Sequence, residues 1–104
     1  MGLAKPIGKP EEPVLSGKEI KKLLPTVPGW SLKGKALERE FVLENFVQAM
    51  KFVNGVADAA NRLDHHPDIF IYYNAVRLSI TTHKAGGLTE EDFGLARELN
   101  RLTT

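Results

Sequence analysis

The chain has three histidines, and all of them lie in one stretch. His65 and His66 are adjacent and followed by Pro67, and His83 ends a run that alternates like a β-strand. Imidazole, with an unperturbed pKa of about 6.5, both gives and takes a proton near neutral pH. Three imidazoles brought together by a helix end and a strand end suggest proton transfer or a metal. Each one alone has a plainer role. His65 and His66 can end a helix, where the negative end of the dipole favours an imidazolium, and His83 can sit solvated at a strand-to-loop junction. The metal reading is the weaker one. Side chains of consecutive residues diverge, no HExxH spacing is present, and Asp64, Asp68 and Asp92 each have an easier role as cap or surface charge. No metal site is assigned.

The elements that must position these residues follow from periodicity. Pro6, Pro10 and Pro13, with Gly2 and Gly8, mark residues 1–15 as a mobile tail too poor in apolar groups to offset its ordering entropy. Residues 16–104 form the domain. Ser16 and Glu19 have capping-box spacing before a helix striped with Ile20, Leu23 and Leu24 and ended by Pro25 and Pro28. A short strand over Gly29-Trp30-Ser31-Leu32 turns at Lys33-Gly34-Lys35 into a second strand from Leu37 to Leu43. There Leu37, Phe41 and Leu43 share one face. Arg39 lies on that same face and is expected to snorkel its stem along the sheet near an edge.

Asn45 is the expected N-cap of the longest helix, running to about Leu63. Its stripe is Phe46, Ala49, Met50, Val53, Val56, Ala57 and Ala60. Pro67 disfavours helix at His66, so the helix stops near His65. Strands over 69–73 and 76–82 join tightly around Asn74, Gly86-Gly87 makes a flexible break, and Thr89 caps a last helix stapled by Leu88 and Phe93. The expected fold is therefore α+β: a two-layer domain with a four-stranded antiparallel sheet and three helices on one face, in the order α-β-β-α-β-β-α.

Composition narrows the function classes. A formal net charge of +1 gives no field that argues for direct nucleic-acid or anionic-membrane binding. The absence of cysteine removes thiolate ligands, disulfides and cysteine nucleophiles. No apolar run approaches the roughly 20 residues of a membrane span, and MGLAKPIGKPEEP lacks the apolar stretch of a signal peptide. The expected location is the cytoplasm.

The ordered set His65-His66-Pro67, Tyr73, His83 and Asp92 closely resembles the signature of pterin-4a-carbinolamine dehydratases. Gly29-Trp30, the Phe41 strand, the helix from Phe46 to Ala60 and Thr82-His83 followed by Gly86-Gly87-Leu88-Thr89 agree with it. The likeness runs from Ser16 to Leu102. It implies dehydration of a 4a-hydroxy-tetrahydropterin to quinonoid dihydropterin, the recycling step after aromatic amino acid hydroxylation, with the pterin as substrate and no cofactor. By the resemblance, His66 is the acid at the 4a-hydroxyl, His65 its proton-transfer partner, and His83 orients the pterin.

Trp30 is expected to wall the ring by stacking, with core filling as the alternative. Asp64, Pro67 and Asp92 complete the surroundings, Asp92 being equally suited to satisfy the N–H of Thr89. Tyr73 is expected to be mainly structural. Asn61 departs from the family pattern, which usually has an ionisable residue there, often glutamate. An amide holds a hydrogen bond but carries no charge. The resemblance also implies a homodimer or homotetramer and a functional link to an aromatic amino acid hydroxylase. The alternative function is a non-catalytic binding module, a dimerisation cofactor or assembly factor on the same fold.

Overall fold

A computed structural model describes residues 13–103 of the chain. Helix α1 spans Gly17–Leu23 and tightens into a 3-10 turn at Leu24–Thr26. It is followed by strands β1, Ser31–Lys33, and β2, Ala36–Val42, and by the long helix α2, Phe46–Leu63. Strands β3, Asp68–Tyr72, and β4, Ala75–Ile80, precede helix α3, Glu90–Asn100, and a closing 3-10 turn, Arg101–Thr103. This is the expected α-β-β-α-β-β-α order. Residues 1–12 of the expected tail lie outside the described residues. Leu15 is buried, and its N–H donates to the Leu88 carbonyl at 2.8 Å.

The sheet is antiparallel throughout, with strand order β1-β2-β4-β3. The two hairpins therefore join through β2 and β4, leaving β3 and the short β1 as edges. Leu37 and Phe41 of β2 and Val76, Leu78 and Ile80 of β4 face the helices and are fully or almost fully buried. Ile20, Leu23 and Leu24 of the first helical segment pack against this core with Phe93, Leu95, Ala96 and Leu99 of α3.

Local signals explain where the elements start. Ser16 and Glu19 form the reciprocal capping box, at 3.1 and 2.8 Å. The Asn45 side chain accepts from the Gln48 N–H at 2.9 Å. Helix α2 ends at Asp64, whose left-handed conformation (φ 55°) turns the chain one residue before the histidine pair.

Three expectations change. The buried face of α2 is Ala49, Phe52, Val56, Ala59 and Ala60, rotated from the expected stripe. Phe52 packs 4.6 Å from Phe41, whereas Phe46, in the first turn, is 47% exposed and stacks on Tyr73. Arg39 lies one residue past the β1–β2 pairing, which ends at Glu38, but its head is bonded within the protein instead of snorkelling to water. Its guanidinium lies 4.2 Å over the Phe41 ring and donates to the Asn100 side chain at 2.6 Å and the Pro28 carbonyl at 3.2 Å. Gly29 (φ 89°) gives this guanidinium room, since a Cβ there would come within 2.7 Å of it. Finally, Gly86 and Gly87 close an ordered turn. Gly86 (φ 80°) donates to the Thr82 carbonyl, and Gly87 bridges back to Thr82.

Candidate active site

Two of the three imidazoles follow directly from the end of α2. The His65 N–H still reaches back to the Ala60 carbonyl at 3.1 Å, so its backbone position is set by the last helical turn. Its ring points at α3, where Nε2 lies 2.6 Å from Asp92 Oδ1. Asp92 is wholly buried. A buried carboxylate costs much free energy unless its lone pairs are taken up. Here three donors do so. Besides His65, Thr82 donates its hydroxyl proton to Oδ2 at 2.8 Å, and the Thr89 N–H donates to the same oxygen at 2.8 Å.

The Thr89 bond is half of the α3 capping box. Thr82 spends its single proton on Asp92, so in its 3.0 Å contact with Thr89 it accepts. The carboxylate only accepts, so the His65 proton on this side sits on Nε2. Its Nδ1 lies 3.5 Å from Glu91 Oε1.

The His66 ring turns the other way, back to its own helix. Its Nε2 lies 3.0 Å from Asn61 Oδ1 and donates to it. The two neighbours thus diverge, as consecutive side chains must. Both are anchored through Nε2, but to different partners: a buried carboxylate for His65 and an exposed amide for His66. His66 is the more exposed of the two.

His83 comes to the same region by another route. The pairing of Asp68 with Ser79 lays the start of β3, just after His65-His66-Pro67, against the end of β4. From there the chain reaches Thr82, bonded to Asp92, and then His83, the exposed first residue of the turn that Gly86 and Gly87 close. The C-terminus of α2 with His65 and His66, the end of β4 that leads into His83, and the N-terminus of α3 therefore meet in one region. Pro67 is half-buried between the pair and β3, and Asp64 contributes its left-handed backbone with an exposed side chain.

Trp30 does not join them. Its ring is 6% exposed, packs edge-on to Phe41, and donates Nε1–H to Asn100 Oδ1 at 2.7 Å. Asn100 is the last residue of α3 and Asp92 lies in its first turn, so about 12 Å of helix separates the indole from the His65 anchor. Tyr73 is likewise remote, in the β3–β4 turn.

Sequence reasoning missed Thr82 and Glu91. For Thr82 a signal existed, since it shares the core-facing parity of Val76, Leu78 and Ile80, where a hydroxyl needs a partner. Glu91 carried none, because an acid in the first turn of a helix reads as complementing the dipole.

Comparison with known proteins agrees with this layout. A profile of the Pterin 4 alpha carbinolamine dehydratase family matches residues 13–102. The chain is 53% identical over 85 residues to a Thermomicrobium roseum protein provisionally named pterin-4-alpha-carbinolamine dehydratase, covering 82% of this chain and 91% of that one. It is 50% identical over 90 residues to a similarly named Chloroflexus aurantiacus protein, covering 86% and 97%.

Among solved structures it is similar to a transcriptional coactivator/pterin dehydratase from Brucella melitensis, with a TM-score of 0.83 and 34% identity over 88% of this chain and 99% of that one. A pterin dehydratase-like protein identified as a RuBisCO assembly factor in the alpha-carboxysome shares the fold, with a TM-score of 0.62 at 20% identity over 74% and 92%. With the family profile matching almost every described residue and relatives this similar along nearly their whole length, the chain belongs to the pterin-4-alpha-carbinolamine dehydratase family.

Proposed function

We propose that this protein dehydrates a 4a-hydroxy-tetrahydropterin to quinonoid dihydropterin and water, by acid–base catalysis between His65 and His66. The observation that supports this reading is the chain of bonds from His65 through Asp92 to Thr82, which ties the helix end that carries the histidine pair to the strand end that leads into His83. The reaction needs a proton delivered to the 4a-hydroxyl as the C4a–O bond breaks. The N5 lone pair then forms the C4a=N5 bond, and the N5 proton must be taken away. One group must give a proton and another accept one, near neutral pH.

The anchors favour a division opposite to the one expected from the sequence. A carboxylate 2.6 Å from His65 favours its protonated ring, which makes His65 the acid at the 4a-hydroxyl. The Asn61 amide orients His66 but offers no negative charge, which leaves Nδ1 of His66 as the acceptor for the N5 proton. His83, exposed at the rim, orients the pterin. Positioned proton transfer of this kind contributes about 10²–10⁴-fold.

The test is a coupled aromatic amino acid hydroxylase assay. The wild type should speed loss of the 4a-hydroxy intermediate, and folded His66→Ala should lose that effect. Equal behaviour of the two would hand the case to the binding-module alternative.

The protein also acts as a homo-oligomer in this reading, through β3. That strand is an edge whose Phe70, Ile71 and Tyr72 are 39–50% exposed, and unpaired edges of this kind invite a second strand. Light scattering should give at least a dimer mass, and Ile71→Lys should lower it.

A further inference from the structure

A second carboxylate lies beside the His65 ring. Glu91 Oε1 lies 3.5 Å from His65 Nδ1, with the two side chains 21% and 12% exposed. Glu91 and Asp92 are consecutive residues of the first turn of α3, yet they reach opposite nitrogens of the same ring. A neutral imidazole has one N–H, so between two carboxylates it would aim a lone pair at an anion. An imidazolium presents an N–H to each.

We propose that Glu91 is a positioning residue for the dehydration, which with Asp92 brackets His65 and holds its proton until the substrate hydroxyl takes it. The inference rests on the dehydratase reading. The two carboxylates act differently. Asp92 is buried and fixed by three donors. Glu91 stands at the rim, at a distance too long for a strong hydrogen bond, so it works through its charge.

Among the described residues, the neighbours below differ from Glu91 in charge or in placement. β4 offers the neutral Thr82, Asn61 is neutral and bonded to His66, and Arg62 pairs with Glu98 at 3.6 Å. Asp64 precedes the ring with an exposed side chain at the helix cap. His83, also exposed, follows Thr82.

The proposal is tested in the full chain with Glu91→Gln and Glu91→Asp. Two measurements are made: the His65 ring titration by NMR, assigned against His65→Ala, and the pH profile of kcat/KM. Losing the charge destabilises the imidazolium, so His65 in Glu91→Gln should deprotonate at lower pH than in the wild type. The alkaline limb of the profile should move the same way, with activity at pH 8 falling about three- to tenfold.

The acid limb, set by His66, should stay in place, and Glu91→Asp should fall between wild type and Glu91→Gln. An unchanged His65 titration and alkaline limb in Glu91→Gln would overturn the proposal, whatever happened to stability. The titration needs no turnover. A shifted His65 in a protein that dehydrates nothing would overturn the dehydratase reading alone.

Discussion

Trp30 and His65 are held at opposite ends of one helix, Trp30 through Asn100 and His65 through Asp92. The tryptophan is thus built into the core beside Phe41, about 12 Å of helix away from the His65 anchor. Asn100 Oδ1 accepts from both Trp30 and Arg39, while its amide donates to the Pro28 carbonyl at 3.0 Å, so this end of α3 ties down the chain entering β1.

Trp30→Phe should therefore lower stability by about 1–2 kcal/mol, from lost packing and a lost hydrogen bond. The KM for the pterin should not change. Urea unfolding alongside steady-state kinetics checks both. A large rise in KM with intact stability would place the indole at the ligand.

His65→Ala and His66→Ala should separate stability from activity. Both should lose most of the rate enhancement. His65→Ala also leaves a wholly buried carboxylate short of a donor, at a cost of about 1–3 kcal/mol. His66 is exposed, and its bond is to an exposed amide, so its removal should stay within about 0.5 kcal/mol. In a domain of this size the first change should lower Tm by roughly 4–8 °C per kcal/mol. Equal melting temperatures would show that His65 does not support Asp92.

Thr82→Val keeps the side chain's shape but removes the proton that Asp92 Oδ2 accepts. It should cost about 1–3 kcal/mol and reduce kcat by loosening the His65 anchor. Thr82→Ser should restore most of both. Thermal melts and kcat across the three proteins make the comparison. A Ser variant no better than Val would assign Thr82 to packing alone.

Asn61→Glu places a negative charge on the nitrogen that His66 shows to the amide. A carboxylate stabilises the imidazolium, so the unprotonated base would be reached only at higher pH. The acid limb of the kcat/KM profile should therefore move up, with the alkaline limb unmoved. If the alkaline limb moved instead, the acid and base would have to be exchanged between the two histidines.

Much of the frame was legible because its signals are local. Ser16 with Glu19, Asn45 with Gln48 and Thr89 with Asp92 each announce a helix start within four residues. Strand alternation likewise placed Val76, Leu78 and Ile80 in the core. The meeting of the α2 end with the β4 end could be anticipated from the order of the elements.

What stayed hidden depends on long-range pairing. Neither hairpin carries in its own pattern that β2 would lie beside β4, nor that the Arg39 head would meet Asn100 at the far end of α3. In α2, Phe46 and Phe52 both fit an amphipathic period. Only the extent of the sheet decides that Phe52 meets Phe41 while Phe46 overhangs onto Tyr73.

The dual attachment of Asp92 sets how this site is free to evolve. Its carboxylate closes the first turn of α3 and steadies an imidazole at once, so no substitution there retunes chemistry without loosening architecture. Asn61 enters its helix cap only through its backbone carbonyl, so its side chain can be exchanged at little structural risk. Adaptation to a new acidity or a new pterin should run through position 61, with position 92 as the fixed pivot.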